Sequence, residues 1–326
     1  MLYIENESHD PAFNLALEQH LFDTFEDDLF MFWRNTDTVV VGLHQNTAEE
    51  VDGDFLSRNN IPVVRRLSGG GAVFHDLGNI NFSIIEKTAD GSAPDFRRSA
   101  SPIVDALAAL GVNAVAGGRN DITAGGLKIS GNARYLLAGR LMHHGTILFD
   151  VDFDKMSQAL RPPKDKYASK GIQSVRARVG NLREYLPDLT TVEFLEFLRG
   201  YVVQNRRLTS YELTGKDLAA VETLRAARYS TWEWNWGKSP EYNVEKRRRI
   251  DGFGAITLKL KIAGGVIAGF DAAGDYFGTR PSAGLAAILT GVKLEARALY
   301  EKLSGVPFGE FFEGLSVNEF VRILVD

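Results

Sequence analysis

Behind Asp10-Pro11, apolar residues recur four apart at Phe13, Leu17 and Leu21. That spacing, with Asp at the N-cap and Pro at the first helical position, predicts a helix with one buried stripe. The pattern then shortens. Apolar runs at 29–33, 38–42, 61–64 and 80–85 have strand length, and Ile80-Asn81-Phe82-Ser83-Ile84 alternates, so Asn79 and Asn81 share one face. Ser101-Pro102 predicts the start of a helix that runs to Ala109 and is stopped by Gly111. From 112 to 151, strand-like stretches are separated by Ala124-Gly125-Gly126 and Ala138-Gly139-Arg140, the pattern of an antiparallel meander. Asp152 predicts the cap of a short helix ending near Leu160, before Arg161-Pro162-Pro163. Residues 164–181 are basic and aperiodic and read as a long loop. Thr190 with Glu193 forms a capping box ahead of a helix over 192–203, and Thr214 caps a further helix over 216–228.

Composition changes after that helix. Trp232, Trp234 and Trp236 would project from one face if the segment were extended, a row suited to stacking; a packed hinge explains them better. The basic run Lys246-Arg247-Arg248-Arg249 reads as a solvated or hinge segment. Beyond it Ile256, Leu258, Leu260 and Ile262 alternate as one face of a strand, Ala263-Gly264-Gly265 turns the chain, and Val266-Ile267-Ala268 begins the return. Three helical patterns follow, the last with a Ser316…Glu319 box. The division expected is a larger domain over 1–246 and a small α+β domain over 247–326.

The candidate chemistry concentrates in three places. Arg65-Arg66-Leu67-Ser68-Gly69-Gly70-Gly71-Ala72-Val73-Phe74-His75 sets two arginines and three glycines between strand-like runs. Bare backbone there can turn its N–H groups on an anion, and an arginine beside it supplies a charged planar fork. A glycine-rich turn with a solvated arginine pair satisfies the same residues. The loop is neither a P-loop nor a spaced dinucleotide fingerprint. The second place is Gly118-Arg119-Asn120-Asp121 with Leu127-Lys128-Ile129-Ser130-Gly131-Asn132-Ala133, where Lys128 is a point charge on a strand and Asp121 a ligand acceptor or a turn cap. The third is His143-His144-Gly145-Thr146-Ile147-Leu148, in which His144, like His75, is either a site residue or a satisfied structural histidine.

Charge and cysteine content narrow the field. With a net charge of −5, broad attraction to nucleic acid is not expected, and no apolar run is long enough to span a bilayer. The N-terminus lacks a secretory pattern, so a cytoplasmic protein is expected. There are no cysteines, which removes disulfides, cysteine-bound metals and cysteine nucleophiles, and the six histidines show no metal spacing.

In content and order, Arg-Arg-x-x-Gly-Gly-Gly-Ala-Val-Phe-His-Asp-x-Gly-Asn-x-Asn-x-Ser, Gly-Arg-Asn-Asp…Lys-x-Ser-Gly-x-Ala and His-Gly-Thr-x-Leu resemble the lipoate–protein ligase A family. Trp-Glu-Trp-Asn-Trp-Gly-Lys-Ser-Pro-Glu-Tyr is similar to that family's bridge into its C-terminal domain. The resemblance implies a biotin/lipoate-ligase-like α+β fold, with a mixed, largely antiparallel sheet domain and a smaller α+β accessory domain. It implies ATP-dependent activation of lipoate to lipoyl-AMP, with magnesium as ATP's counterion, then transfer to a lysine of a carrier. The implied acceptors are lipoyl domains of 2-oxo-acid dehydrogenase E2 subunits and the glycine-cleavage H protein, and the implied state is a monomer. Nucleotide contacts would fall on Arg66, Gly71, Ala72, Val73 and Phe74. Lys128 would be shared by nucleotide and lipoate as the catalytic cation. Gly69, Gly70, His75, Asn79, Asp121, Ser130 and His144 are further candidates, and Leu17 with the 164–181 loop would contribute to the lipoate tunnel. A lipoyl- or octanoyltransferase of the same fold would need a thioester-forming cysteine that this chain lacks. A biotin ligase would carry Gly-Arg-Gly-Arg in place of this glycine loop. A non-catalytic lipoate or adenylate sensor is the alternative of a different class.

Overall fold

The computed structural model describes residues 1–45, 47–88, 95–117, 120–160, 179–236, 244–263 and 265–325, with backbone alone at 48, 49, 54 and 263. Gly118-Arg119, Arg161-Pro162-Pro163, residues 164–178 of the basic loop, 237–242 of the tryptophan-rich stretch and Gly264 lie outside these.

Fourteen strands are formed among the described residues: β1 (Leu2–Ile4), β2 (Leu29–Trp33), β3 (Thr38–Val41), β4 (Val63–Arg65), β5 (Val73–His75), β6 (Asn79–Lys87), β7 (Ala114–Gly117), β8 (Asp121–Ala124), β9 (Leu127–Leu137), β10 (Arg140–Leu148), β11 (Thr209–Tyr211), β12 (Val244–Ile250), β13 (Gly254–Ala263) and β14 (Val266–Gly274). Eight make one mixed sheet in the order β11-β1-β2-β6-β10-β9-β8-β7. β1 runs parallel to β2 and β11, and the other neighbours are antiparallel. The expected meander is β7 to β10. Its tight turns place Gly125 and Gly126 at φ 56° and 83°, and Ala138 and Gly139 at 50° and 75°, left-handed pairs that match the twist of a hairpin. A three-stranded sheet, β4-β3-β5, stands against the large one. β5 escapes the sequence pattern because it is three residues long and starts one residue past the glycines.

Helices cover both faces of the large sheet. Phe96–Ala109 and Thr191–Arg206 bury one face around Phe82, Phe149 and Phe194. The first of these starts earlier than Ser101-Pro102 suggests. The Asp95 side chain accepts from the Arg97 N–H, and Pro102 lies inside the helix. The Arg98 carbonyl that Pro102 cannot reach accepts instead from Ser101 Oγ at 3.0 Å, which offsets the lost bond. On the opposite face lies Pro11–Thr24, capped by Asp10 onto Phe13 N. It has more than one buried stripe: Glu18 meets the sheet at His144, His20 meets Asp217 of the helix Gly215–Leu224 packed on the other side, and Asn14, Glu18, Gln19 and His20 are all buried and bonded internally.

β12, β13 and β14 form a separate antiparallel sheet whose inner face, Ile256, Leu258 and Leu260, packs on the helices Ser282–Leu289, Ala296–Leu303 and Val317–Val325. The basic run 246–249 is part of β12 and not a hinge, and that strand starts at Val244. The tryptophans are not extended. Trp232–Asn235 is a short helix, with Trp234 Nε1 donating to the Arg65 carbonyl at 2.9 Å and the Arg228 guanidinium 4.8 Å from the Trp234 ring. This small unit docks on the glycine loop. Gly70 N donates to the Tyr276 carbonyl at 3.2 Å, Gly274 N donates to the His44 carbonyl at 3.0 Å, and the His44 and Tyr276 rings stack at 4.5 Å. Among the described residues, no helix is long and apolar enough to cross a membrane.

Candidate active site

The glycine loop, the exposed half of the large sheet and the docked small unit enclose a cavity of about 430 Å³, within the usual range for small-molecule sites. Register explains which side chains reach it. Trp33, Asn81 and Thr146 are direct neighbours across β2, β6 and β10, and Gly131 of β9 continues the row, its N–H donating to Thr146 Oγ1 at 3.1 Å. Along β5, Val73 and His75 face the cavity while Phe74 turns into the core between the small sheet and Phe153–Ala159.

Lys128 enters over Gly131. Ile122 and Thr123 of β8 pair with Ser130 and Lys128, skipping Ile129, and this bulge re-aims the lysine. A Cβ on Gly131 would stand 3.0 Å from Lys128 Cε and 3.1 Å from Nζ, so any side chain there would press on the ammonium and shift it from this position. Nζ makes an ion pair with Asp121 Oδ1 at 2.8 Å, both side chains a third or more exposed.

Arg66 is buried and differs from the expected open fork. Nε donates to Ser68 Oγ at 3.1 Å, Nη1 to the Val40 carbonyl at 3.1 Å, and Nη2 to the Gly69 and Gly71 carbonyls at 2.7 and 2.9 Å. Four of its five N–H donors therefore shape the loop, and burial lowers its pKa to about 10, which leaves it charged at neutral pH. Arg65 has no part in the cavity. It clamps the Gly42, Gln45 and Trp234 carbonyls and Thr47, fixing the bridging helix to the loop before β4.

Behind Arg66 runs a buried polar chain. Ser68 Oγ lies 2.6 Å from His144 Nε2, and His144 Nδ1 lies 3.0 Å from Glu18 Oε1. Ser83 Oγ donates to the same carboxylate and accepts from Trp33 Nε1 at 2.8 Å. Both ring nitrogens of His144 are thus engaged with protein.

Of the residues singled out from sequence, Arg66, Gly70, Gly71, Ala72, Val73, His75, Asp121, Lys128 and His144 line this cavity. Four do not. Gly69 packs on the Tyr276 carbonyl, Phe74 faces the other core, Asn79 donates to Asn81 Oδ1 from behind, and Ser130 is buried under Asn132. Leu17 is core, and Leu15 is the helix residue that reaches the cavity, with Trp33 and Val40 completing an apolar wall. Sequence reasoning missed Glu18, Trp33 and the polar edge from the small unit, Arg249, Asp251 and Asp275. Glu18 sat in a helix whose polar positions looked solvent-facing, and nothing local to the accessory residues signals that they fold back on the loop.

Comparison with known proteins agrees with this architecture. Residues 10–202 match the family profile of the lipoyl protein ligase A/B catalytic domain, and 239–324 match that of the bacterial lipoate protein ligase C-terminus. A lipoate-protein ligase of Bacillus subtilis, LplJ, is 38% identical over 99% of this chain and 100% of its own length. Among solved structures, Plasmodium falciparum LipL1 in complex with lipoate superposes with a TM-score of 0.81 at 22% identity, over 99% of this chain and 98% of its own. A lipoate-protein ligase A bound with ATP superposes with a TM-score of 0.65 at 29% identity, over 72% of this chain and 98% of its own.

Proposed function

This chain belongs to the lipoate–protein ligase family, and on that premise we infer that it joins lipoate to proteins in an ATP-dependent reaction of two steps. First, a lipoate carboxylate oxygen attacks the α-phosphorus of ATP. The mixed anhydride lipoyl-AMP forms as the bond to pyrophosphate breaks. Second, a carrier lysine amine attacks the acyl carbon, an amide forms, AMP leaves, and the amine's surplus proton is released.

The observation that carries the residue assignments is Lys128 Nζ lying over Gly131 in a cavity that Gly70 and Gly71 also line. Two anions must meet in the first step. A preorganised ammonium between them lowers their repulsion and stabilises the charge that spreads in the transition state. Asp121 holds that ammonium in place. Arg66 acts through the loop: it fixes the carbonyls of Gly69 and Gly71, which holds the bare backbone of the loop in shape beside the cavity, and it adds a buried positive charge behind it. The wall of Leu15, Trp33 and Val40 suits the aliphatic tail. His144, held at both nitrogens, supports the loop through Ser68 and takes no proton in our reading. Magnesium belongs to the substrate side, on ATP's phosphates. Among the described residues no three His, Asp or Glu side chains meet in a metal-binding group, and such ions need few protein ligands.

The acceptors we propose are lipoyl domains of 2-oxo-acid dehydrogenase E2 subunits and the glycine-cleavage H protein, modified by a cytoplasmic monomer. We place the domain junction before Val244, where β12 begins. The test is to incubate the protein with ATP, magnesium, lipoate and an apo lipoyl domain and read the carrier's intact mass. A lipoyl gain that needs both ATP and lipoate is expected. Folded protein that forms no lipoyl-AMP would overturn the reading in favour of a sensor.

A further inference from the structure

His75 is 3% exposed, lines the cavity and stands beside Trp33, ring centres 6.2 Å apart. Its Nδ1 lies 3.1 Å from Asn35 Nδ2. Its Nε2 is buried with no partner among the described residues. The position of the ring proton decides what such a histidine can do, and amide and imidazole orientations are ordinarily open to choice.

Here backbone groups that cannot be flipped remove the choice. The Ser8 N–H donates to Asn6 Oδ1 at 3.0 Å, so Asn6 offers its Nδ2 to Asn14 Oδ1 at 2.9 Å. From the other side, the Ser8 and Arg34 carbonyls each accept from Asn14 Nδ2 at 3.0 Å, and a carbonyl cannot donate. The Asn14 atom that meets Asn35 at 2.9 Å is thus its Nδ2, whose two hydrogens are shared among three acceptors; a second amide nitrogen there would set donor against donor, so Asn35 turns its Oδ1 to it. Asn35 in turn presents its amide N–H to His75, and Nδ1 must accept. A neutral imidazole that accepts at Nδ1 carries its hydrogen on Nε2. Asn14 and Asn35 are fully buried, so solvent does not compete for these bonds. The ring is also uncharged at neutral pH: burial, then Arg66 and His144, lower its pKa to about 3.

We propose that His75 is an obligate hydrogen-bond donor whose Nε2–H binds an anionic oxygen of the substrate, with Asn6, Asn14 and Asn35 as positioning residues that hold this tautomer. A buried N–H without an acceptor is unfavourable, and a ligand oxygen in the cavity completes it. The same geometry excludes a general-base role, because no lone pair of the ring faces the cavity. The oxygen belongs either to a carboxylate or to a phosphate, and this inference rests on the ligase reading only for the name of that substrate.

Two measurements test it on the full chain. ¹⁵N-histidine NMR of the resting protein, with His75 assigned by its loss in His75→Gln, reads the tautomer independently of any activity. An Nε2–H signal that does not titrate between about pH 5 and 8 is expected, since a pKa near 3 lies well below that window. An Nδ1–H form, or titration near the ordinary value, overturns the proposal. Adding lipoate alone or ATP alone then shows which oxygen shifts the Nε2–H resonance; a shift with neither overturns it. In kinetics, His75→Gln keeps an amide N–H near the Nε2 position, whereas His75→Asn keeps one only near Nδ1. Gln is expected to retain most lipoyl-AMP formation, and Asn and Ala to lose about ten- to a hundred-fold in kcat/KM, the range for a bond to a charged group. Equal loss in all three variants overturns a donor role. A wild-type protein that makes no lipoyl-AMP would fail the ligase reading while leaving the tautomer result standing.

Discussion

Lys128 was legible as a cation on a strand, but its reach was not. That depends on the bulge that skips Ile129 and on the bare Cα of Gly131. Glu18 was illegible for a different reason. Its partner His144 lies on β10, and only the folding of Pro11–Thr24 across the sheet brings the two together. Arg66 shows how a correct residue can carry a different geometry: the motif suggests an open fork, while the fold commits most of its donors to carbonyls. At this scale the sharpest prediction concerns Lys128. Its side chain is a third exposed, so Lys128→Ala leaves no buried void and should preserve the fold. It removes one preorganised charge from the reacting centre, which typically lowers the rate by about 10²–10³-fold. Pyrophosphate release with ATP and lipoate measures this directly, and release at the wild-type rate would remove Lys128 from the chemistry.

Elements with their own punctuation were readable in advance. Asp10-Pro11, Thr190…Glu193 and Ser316…Glu319 each close their helix ends with the side-chain bonds that the sequence suggests. Where a signal served two purposes the reading slipped. Ser101-Pro102 looks like a helix start because proline suits a first turn, yet Asp95 caps earlier and Ser101 repairs the missing bond. The triple glycine was legible as a turn, but the distinct task of each glycine was not. A Cβ on Gly69 would meet the Tyr276 carbonyl at 2.2 Å and Phe277 Cα at 3.1 Å, both backbone, whereas one on Gly71 finds nothing nearer than 3.8 Å. Gly69→Ala should therefore push the small unit off the loop, while Gly71→Ala leaves the packing intact. Hydrogen exchange reads the difference at the Gly70 and Gly274 amides, which bond the Tyr276 and His44 carbonyls across this contact. Faster exchange at both in Gly69→Ala alone is expected, and matching protection in the two variants would refute the assignment.

At the scale of the molecule, three buried histidines in three regions share one electrostatic condition. His44 is stacked on Tyr276 where the small unit docks, and burial lowers it to about 4. His75 stands in the cavity wall and His143 between Phe82 and Phe96 in the main core, each lowered to about 3 chiefly by burial. Neighbouring groups act in the same direction: Arg65 on His44, Arg66 and His144 on His75, and His144 and Arg134 on His143. Each has a folded pKa below its unfolded value near 6.5, so the unfolded chain binds the extra protons. Their contribution is complete above about pH 6.5, is lost as pH falls below it, and levels off near the folded values of 3 to 4. With every other group held constant, the three together remove at most about 4 kcal/mol between about pH 7.5 and 5.5, a large share of a typical domain's stability. Urea midpoints across that window should fall steeply on the acid side. His143→Phe isolates one proton: whatever it does to absolute stability by stranding Asn132 Oδ1, the slope of stability against pH should drop by about a third. An unchanged slope would mean that His143 is already protonated in the fold, which its place between two phenyl rings argues against.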